Sequence, residues 1–194
     1  MSSSSNLTDR VTNFVERNNP LKNPKFAEEA ERAVHYNYGP ISILAAFAGS
    51  HLILQHRIPK LFYGIDNNVY PREDLEGGNG EKLVAQGKIT AKQLRRLKRW
   101  QAAHYNAVEH LPVFVGAILS LQFAGASNRL INRVAGTYLT VRTIYAGLYI
   151  GFETEAASML RTIAWWSSNI TCIYAFIEAA KKINHNVATG TTAL

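Results

Sequence analysis

A chain of 194 residues, 47% hydrophobic and with a formal charge of +7, is long enough for one domain with a sizeable core. Its single cysteine, Cys172, excludes an internal disulfide. A mean hydropathy of −0.10 conceals a division: residues 1–33 and 57–99 hold 15 of the 21 Lys/Arg and 10 of the 14 Asp/Glu, and the remainder is strongly apolar.

In chain order, residues 1–33 are polar and open with "MSSSS", a low-complexity stretch expected to be partly disordered. They contain no apolar run of the kind a secretory signal needs. Asn23-Pro24 predicts the start of a short amphipathic helix, with Pro24 at its first position. Val34–His56 lacks Asp, Glu, Lys and Arg. As a helix it extends roughly 34 Å, enough for a first membrane span acting as an uncleaved anchor. The connection 57–89, with "YPRED" and "EGGNG", reads as an exposed loop.

Thr90 and Gln93 match the capping box of a helix that runs through "LRRLKRW" into a second span, Trp100–Asn128, whose one charge is Glu109. A turn at 126–133 leads to a third span, Val134–Phe152, with Arg142 as its one charge. Thr162–Ile177 is uncharged, and "SSNIT" makes it the most polar of the four. The expected fold is all-α: an integral membrane four-helix bundle over 34–183, with a loop at 57–99 and a tail at 184–194. The alternative is a soluble helical bundle.

The basic run "KQLRRLKR" permits nucleic acid, but a juxtamembrane position accounts for it better, and no nucleic-acid partner is expected. Ten Lys/Arg against five acids in 57–99 place that loop in the cytoplasm by the positive-inside rule, with both termini on the other side. Asn6-Leu7-Thr8 would then be open to glycosylation, whereas Asn169-Ile170-Thr171 lies within a span.

Charged residues deep in a span are costly, and they usually pair or line a site. Asn106, Glu109 and His110 share one face of the second span. Arg142, Tyr145 and Tyr149 form one stripe on the third, and Arg161 stands at the entrance to the fourth. Antiparallel spans bring these groups to one cytoplasm-facing layer, where Glu109 and Arg142 are expected to pair. Pro112 removes a helix hydrogen bond and favours a kink beside Val108. His51 reads as a packing residue. His35, His56 and His104 show no metal-ligand spacing, so no metal site is expected.

"RWQAAHYNAVEHLP" resembles the second-helix signature of the membrane-associated proteins in eicosanoid and glutathione metabolism, the MAPEG family, through Ala103, Asn106, Glu109 and Pro112. "VRTIYAGLY" is similar to the third-helix motif through Arg142, Tyr145 and Tyr149. The resemblance covers about 39–180. It implies a homotrimer in an endomembrane such as the endoplasmic reticulum, binding glutathione as co-substrate between subunits together with a hydrophobic molecule or lipid. The implied glutathione-binding residues are Asn106, Glu109, Tyr145 and Tyr149, together with Arg142. Arg161 is the implied catalytic residue, facing the sulfur, because a nearby cation lowers a thiol pKa from about 8.5. The implied activity is glutathione transfer, or peroxidase chemistry, on hydrophobic electrophiles or lipid hydroperoxides.

Two departures stand out. Ala102 occupies the place of the arginine that opens the family's motif; Arg99 and Arg57 are the candidates to replace its hold on a glutathione carboxylate. The segment "YIGFETEAASMLR" between Tyr149 and Arg161 is longer than usual and adds Glu153 and Glu155. The alternatives are a non-catalytic family member that binds a lipid or a protein, and a small transporter with Glu109 and Arg142 along its pathway.

Overall fold

A computed structural model describes residues 36–190 of the chain. The expected disordered start, the Asn23-Pro24 helix, the Asn6 sequon and His35 lie outside the described residues. The chain divides into two units, Met1–Asn37 and Tyr38–Leu194, and the second holds every element that follows. Among the described residues there is helix but no strand.

Helix α1, Gly39–Ala48, carries a proline in its first turn. Pro40 lacks an N–H and tolerates only that position, so the helix does not reach back toward Val34. It passes into a π-helical turn, Gly49–Ile53, where the Ser50 hydroxyl donates to the carbonyls of Ala46 (2.9 Å) and Phe47 (3.1 Å). The continuous helix expected over 34–56 is therefore shorter at both ends. Its last carbonyls are satisfied from another helix: Trp100 Nε1 donates to Leu54 O at 3.0 Å, and His104 Nδ1 bonds Ser50 O at 2.9 Å.

The stretch read as an exposed loop is a folded cap with two short helices, α2 (Arg57–Phe62) and α3 (Asn79–Ala85). Ile65, Leu75 and Ile89 form its core together with Leu94 and Leu97 of the next helix. Beside them lies a buried ammonium. Lys60 is 1% exposed, bonds Asp74 Oδ2 at 2.7 Å, sits 3.7 Å from Asp66 and donates to the Pro71 carbonyl. Such a charge stays buried because its donors are met on several sides. Gly80 packs against Leu94 so closely that a Cβ would collide with it.

Three long helices follow: α4 (Ala91–Phe123), α5 (Asn128–Gly151) and α6 (Glu155–Thr189). They pack pairwise, with α1 resting on α4 and α5. The Thr90–Gln93 capping box forms as expected, with backbone and side chain exchanging bonds of 2.7 and 3.2 Å. α4 continues without a break through Pro112. Ser127 caps α5 by accepting from Leu130 N, so the predicted turn at 126–133 ends before Asn128. Thr154 caps α6, whose last residue is Thr189. The core joins Phe114, Ala117, Ile118 and Leu121 of α4 to Val134, Ala135 and Tyr138 of α5 and to Cys172, Ala175 and Ala179 of α6. Small residues at these contacts let the backbones approach closely.

No helix among the described residues is long and apolar enough to cross a membrane. α1 ends after ten residues, and the longer helices carry polar side chains on their inner faces.

Candidate functional site

The α4–α5 contact is fastened by Arg142. Its Nη2 donates to the carbonyl oxygen of Asn106 at 2.7 Å and to Asn106 Oδ1 at 3.0 Å. The expected Glu109–Arg142 pair does not form: Glu109 is exposed, and no ion pair among the described residues includes it. The reason is rotational. Asn106 faces α5, and a guanidinium on α5 reaches the backbone and amide one turn before Glu109, whose carboxylate turns outward.

From Arg142 the polar stripe continues along α5 toward α6. The Arg142 guanidinium lies 4.8 Å over the Tyr145 ring, and Tyr145 meets Tyr149 edge-on at 5.6 Å. The Arg161 guanidinium lies 4.2 Å over Tyr149, steadied by a 2.9 Å bond to Ser158 Oγ. Two cations and two rings thus alternate from α5 to the start of α6, an arrangement that ring quadrupoles favour. The sequence places Asn106, Glu109, His110, Arg142, Tyr145, Tyr149 and Arg161 in one layer. The fold links Asn106, Arg142, Tyr145, Tyr149 and Arg161 through these contacts, while Glu109 is exposed and His110 bonds Tyr138 and Asn169.

Arg142 and Tyr145 also line a mainly apolar cavity of about 360 Å³ between α1, α4 and α5, closed in part by Ser50, Ala103 and Leu139. One guanidinium nitrogen, Arg142 Nη1, is buried without a hydrogen-bond partner.

The two arginines considered as replacements at position 102 are engaged elsewhere. Arg57 forms a 2.6 Å ion pair with Asp66 and a 2.8 Å bond to Asn68 within the cap, and its guanidinium holds the Asp66 carboxyl below its ordinary pKa. Arg99 pairs with Glu153 at 2.7 Å, and Arg95 reaches the same carboxylate at 3.2 Å. Arg99 first, then Arg95, depresses the Glu153 pKa. Ala102 itself lines a cleft shared with Glu76, Glu81, Lys98 and Tyr105, where Gln101 Nε2 donates to Glu76 at 3.0 Å and Lys98 pairs with Glu81 at 2.8 Å.

Sequence reasoning missed one polar network. His110 is buried and bonds Tyr138 OH through Nδ1 and Asn169 Oδ1 through Nε2, both at 3.1 Å. Tyr138 stacks on Phe114 with ring centroids 3.9 Å apart. The signal was present in the i, i+4 relation of His110 to Asn106, which puts both on the inner face of α4. His51 stacks on Phe47 at 4.5 Å. His104 caps the end of the first helical segment, as described above. No group of three or more His, Cys, Asp or Glu among the described residues is placed to hold a metal ion.

The model of the MAPEG family fits residues 38–181. No curated protein and no solved structure matches the chain.

Proposed function

The chain belongs to the MAPEG family, a family of membrane-associated proteins, and on that premise we propose that it is a membrane-bound glutathione transferase or peroxidase. The observation that carries this reading is the Arg142–Tyr145–Tyr149–Arg161 ladder, with Asn106 bonded to its inner end. The residues suit a small zwitterionic peptide. Glu109 offers a carboxylate that no ion pair among the described residues occupies, suited to an ammonium group. Asn106 and the two tyrosines supply hydrogen-bonding groups, and the unpartnered Arg142 Nη1 is a spare donor. Arg161 has the catalytic role: its cation would lower the pKa of a thiol beside it from about 8.5 and populate the thiolate.

With an electrophilic carbon, a carbon–sulfur bond forms and the leaving group departs with its electron pair. With a lipid hydroperoxide, sulfur takes one oxygen, the O–O bond breaks and the released alkoxide picks up a proton. A second thiol then reduces the sulfenic acid to a disulfide and water.

The membrane setting, with four spans, is supported by faces rather than by whole-helix hydropathy. On α6, Met159, Ile163, Trp166, Ile170, Ile173 and Ile177 are all about half exposed or more, and their spacing of four and three puts them on one side. That stripe runs about 27 Å, close to the hydrocarbon thickness of a bilayer. Ile41, Leu44 and Phe47 of α1 are likewise exposed. Apolar patches of this extent are covered by lipid or by neighbouring subunits. A homotrimer in the endoplasmic reticulum, with the cap toward the cytoplasm, is part of the proposal.

A second reading, a non-catalytic lipid- or protein-binding member, is favoured by the surroundings of Ala102. No arginine stands there, and the chain's own acids hold both Arg57 and Arg99. The deciding experiment is ultraviolet difference absorbance of the detergent-solubilised protein on adding glutathione. A thiolate band that Arg161→Ala abolishes supports the transferase. A wild type that neither binds glutathione nor shifts its thiol removes that reading and leaves the second.

A further inference from the structure

Between α4 and the α5–α6 connection lies a cavity of about 510 Å³ whose walls include Arg95, Arg99, Glu153, Ser158 and Arg161. Arg95 and Arg99 are one turn apart on α4, and both close on one carboxylate. Arg99 Nη1 meets Glu153 Oε1 at 2.7 Å, and Arg95 Nε meets Oε2 at 3.2 Å. Glu153 therefore presents to two guanidiniums what the carboxylate or phosphate of a ligand would present, one oxygen to each.

The clamp is not saturated by it. Arg99 Nε is buried without a partner, and Arg99 Nη2 reaches only the Ile150 carbonyl, at 3.4 Å. Arg161 makes no ion pair among the described residues; its bond goes to Ser158. Three guanidiniums face two acids, Glu153 and Glu155, so the cavity stays cationic with Glu153 in place.

Glu153 is also easy to displace. It lies between Phe152, the C-cap of α5, and Thr154, the N-cap of α6, so its departure unwinds neither helix. Its side chain is 39% exposed, against 58% for Arg95 and 18% for Arg99, so the Arg95 pair is water-screened and contributes little to stability. An incoming anion can take the same charge-assisted geometry and also meet Arg99 Nε, which Glu153 leaves without a partner.

We propose that this cavity binds an anionic group, a carboxylate or phosphate, and that Glu153 is its built-in competitor, exchanged for the ligand on Arg95 and Arg99. Arg95 is thereby a ligand-binding residue beside Arg99 and Arg161. Where the anion is a carboxylate of glutathione, the inference rests on the transferase reading; for a phosphate it stands apart from it.

The test is calorimetric titration of the detergent-solubilised full chain, as wild type, Glu153→Gln, Arg95→Gln and the double variant. The probes are glutathione, its glycine ethyl ester, inorganic phosphate and dihexanoyl phosphatidic acid. Glu153→Gln is expected to tighten at least one anion about two- to fivefold. Arg95→Gln is expected to weaken the same anion, and the double variant to lose the gain. A gain for glutathione that the ester lacks identifies a peptide carboxylate as the occupant. A gain for phosphatidic acid identifies a lipid headgroup, and a gain for inorganic phosphate alone identifies a free anion. If glutathione fails to bind while phosphate tightens, the transferase reading falls and the anion site stands. Unchanged or weaker binding of every anion by Glu153→Gln overturns the proposal, as does absence of anion binding altogether. Circular dichroism checks folding. Should Glu153→Gln not fold, Glu153→Asp draws the carboxylate back from the arginines and is expected to shift affinity in the same direction.

Discussion

The cap at one end of α4 buries a lysine, whereas the far half of the same helix buries phenylalanine, isoleucine and alanine. In the cap, Lys60, Asp66 and Asp74 sit against a core as small as Ile65, Leu75, Ile89, Leu94 and Leu97. In the bundle, Phe114, Ile118 and Leu121 are fully enclosed by α5 and α6, and large apolar side chains cover the outside as well. The two cohere by different means. The cap depends on each buried charge finding its partners, and the bundle depends on the volumes of its side chains.

Perturbing the two regions separately should expose this difference. The largest effect is expected from Phe114→Ala, which empties the centre of the bundle and removes the ring stacked on Tyr138, at a cost of about 3–5 kcal/mol. Thermal unfolding in detergent, followed by circular dichroism, should show the main transition shifted well down. Lys60→Met leaves Asp74 buried without its cation, while Asp66 keeps Arg57, also at about 3–5 kcal/mol, but within the cap alone. Limited proteolysis should then cut within 57–89 while the main transition holds. Adding Asp74→Leu should restore much of the protection, because an apolar pair can replace a buried ion pair.

A smaller effect, about 1–3 kcal/mol, is expected for His110→Ala, which strips Tyr138 OH and Asn169 Oδ1 of a partner inside the bundle. The same unfolding scan measures it, and a transition no lower than wild type would show the network to be energetically idle. The smallest effect is that of acid on the cap. The Arg57 guanidinium lowers the folded pKa of Asp66, so the contribution of this pair is complete above the unfolded value of about 3.9 and is lost as pH falls through the lower folded value. Cleavage of the cap by pepsin should rise only below about pH 4, with helical content unchanged. A rise at pH 5 or 6 would contradict the assignment.

Local rules made part of this legible. The Thr90–Gln93 capping box and the Arg142, Tyr145, Tyr149 stripe were read correctly, because residues a few positions apart on one helix determine both. The partner of Arg142 was misread: spacing tells which residues share a face, not how far two helices rotate against each other, and a long guanidinium reaches past Glu109's turn to Asn106. The cap was hidden because its core residues lie scattered from Ile65 to Leu97 with no period. The His110 network was hidden for a related reason, since its partners lie 28 and 59 positions along the chain. The length of the first helix was set by Pro40 and by the π-helical turn, neither of which hydropathy registers.

That turn has a consequence for chain length. Between Gly49 and Leu54 the backbone closes a bond one residue wider than an α-helix does, Leu54 N to Gly49 O at 2.9 Å. Loss of one residue there would return the segment to α-helical winding with its flanks facing as before. Loss of one residue within α1 would rotate everything upstream by about 100° and turn Ile41 and Leu44 away from their present side. The protein thus holds one slack position in its first helical segment, where a single-residue deletion is absorbed by the winding itself.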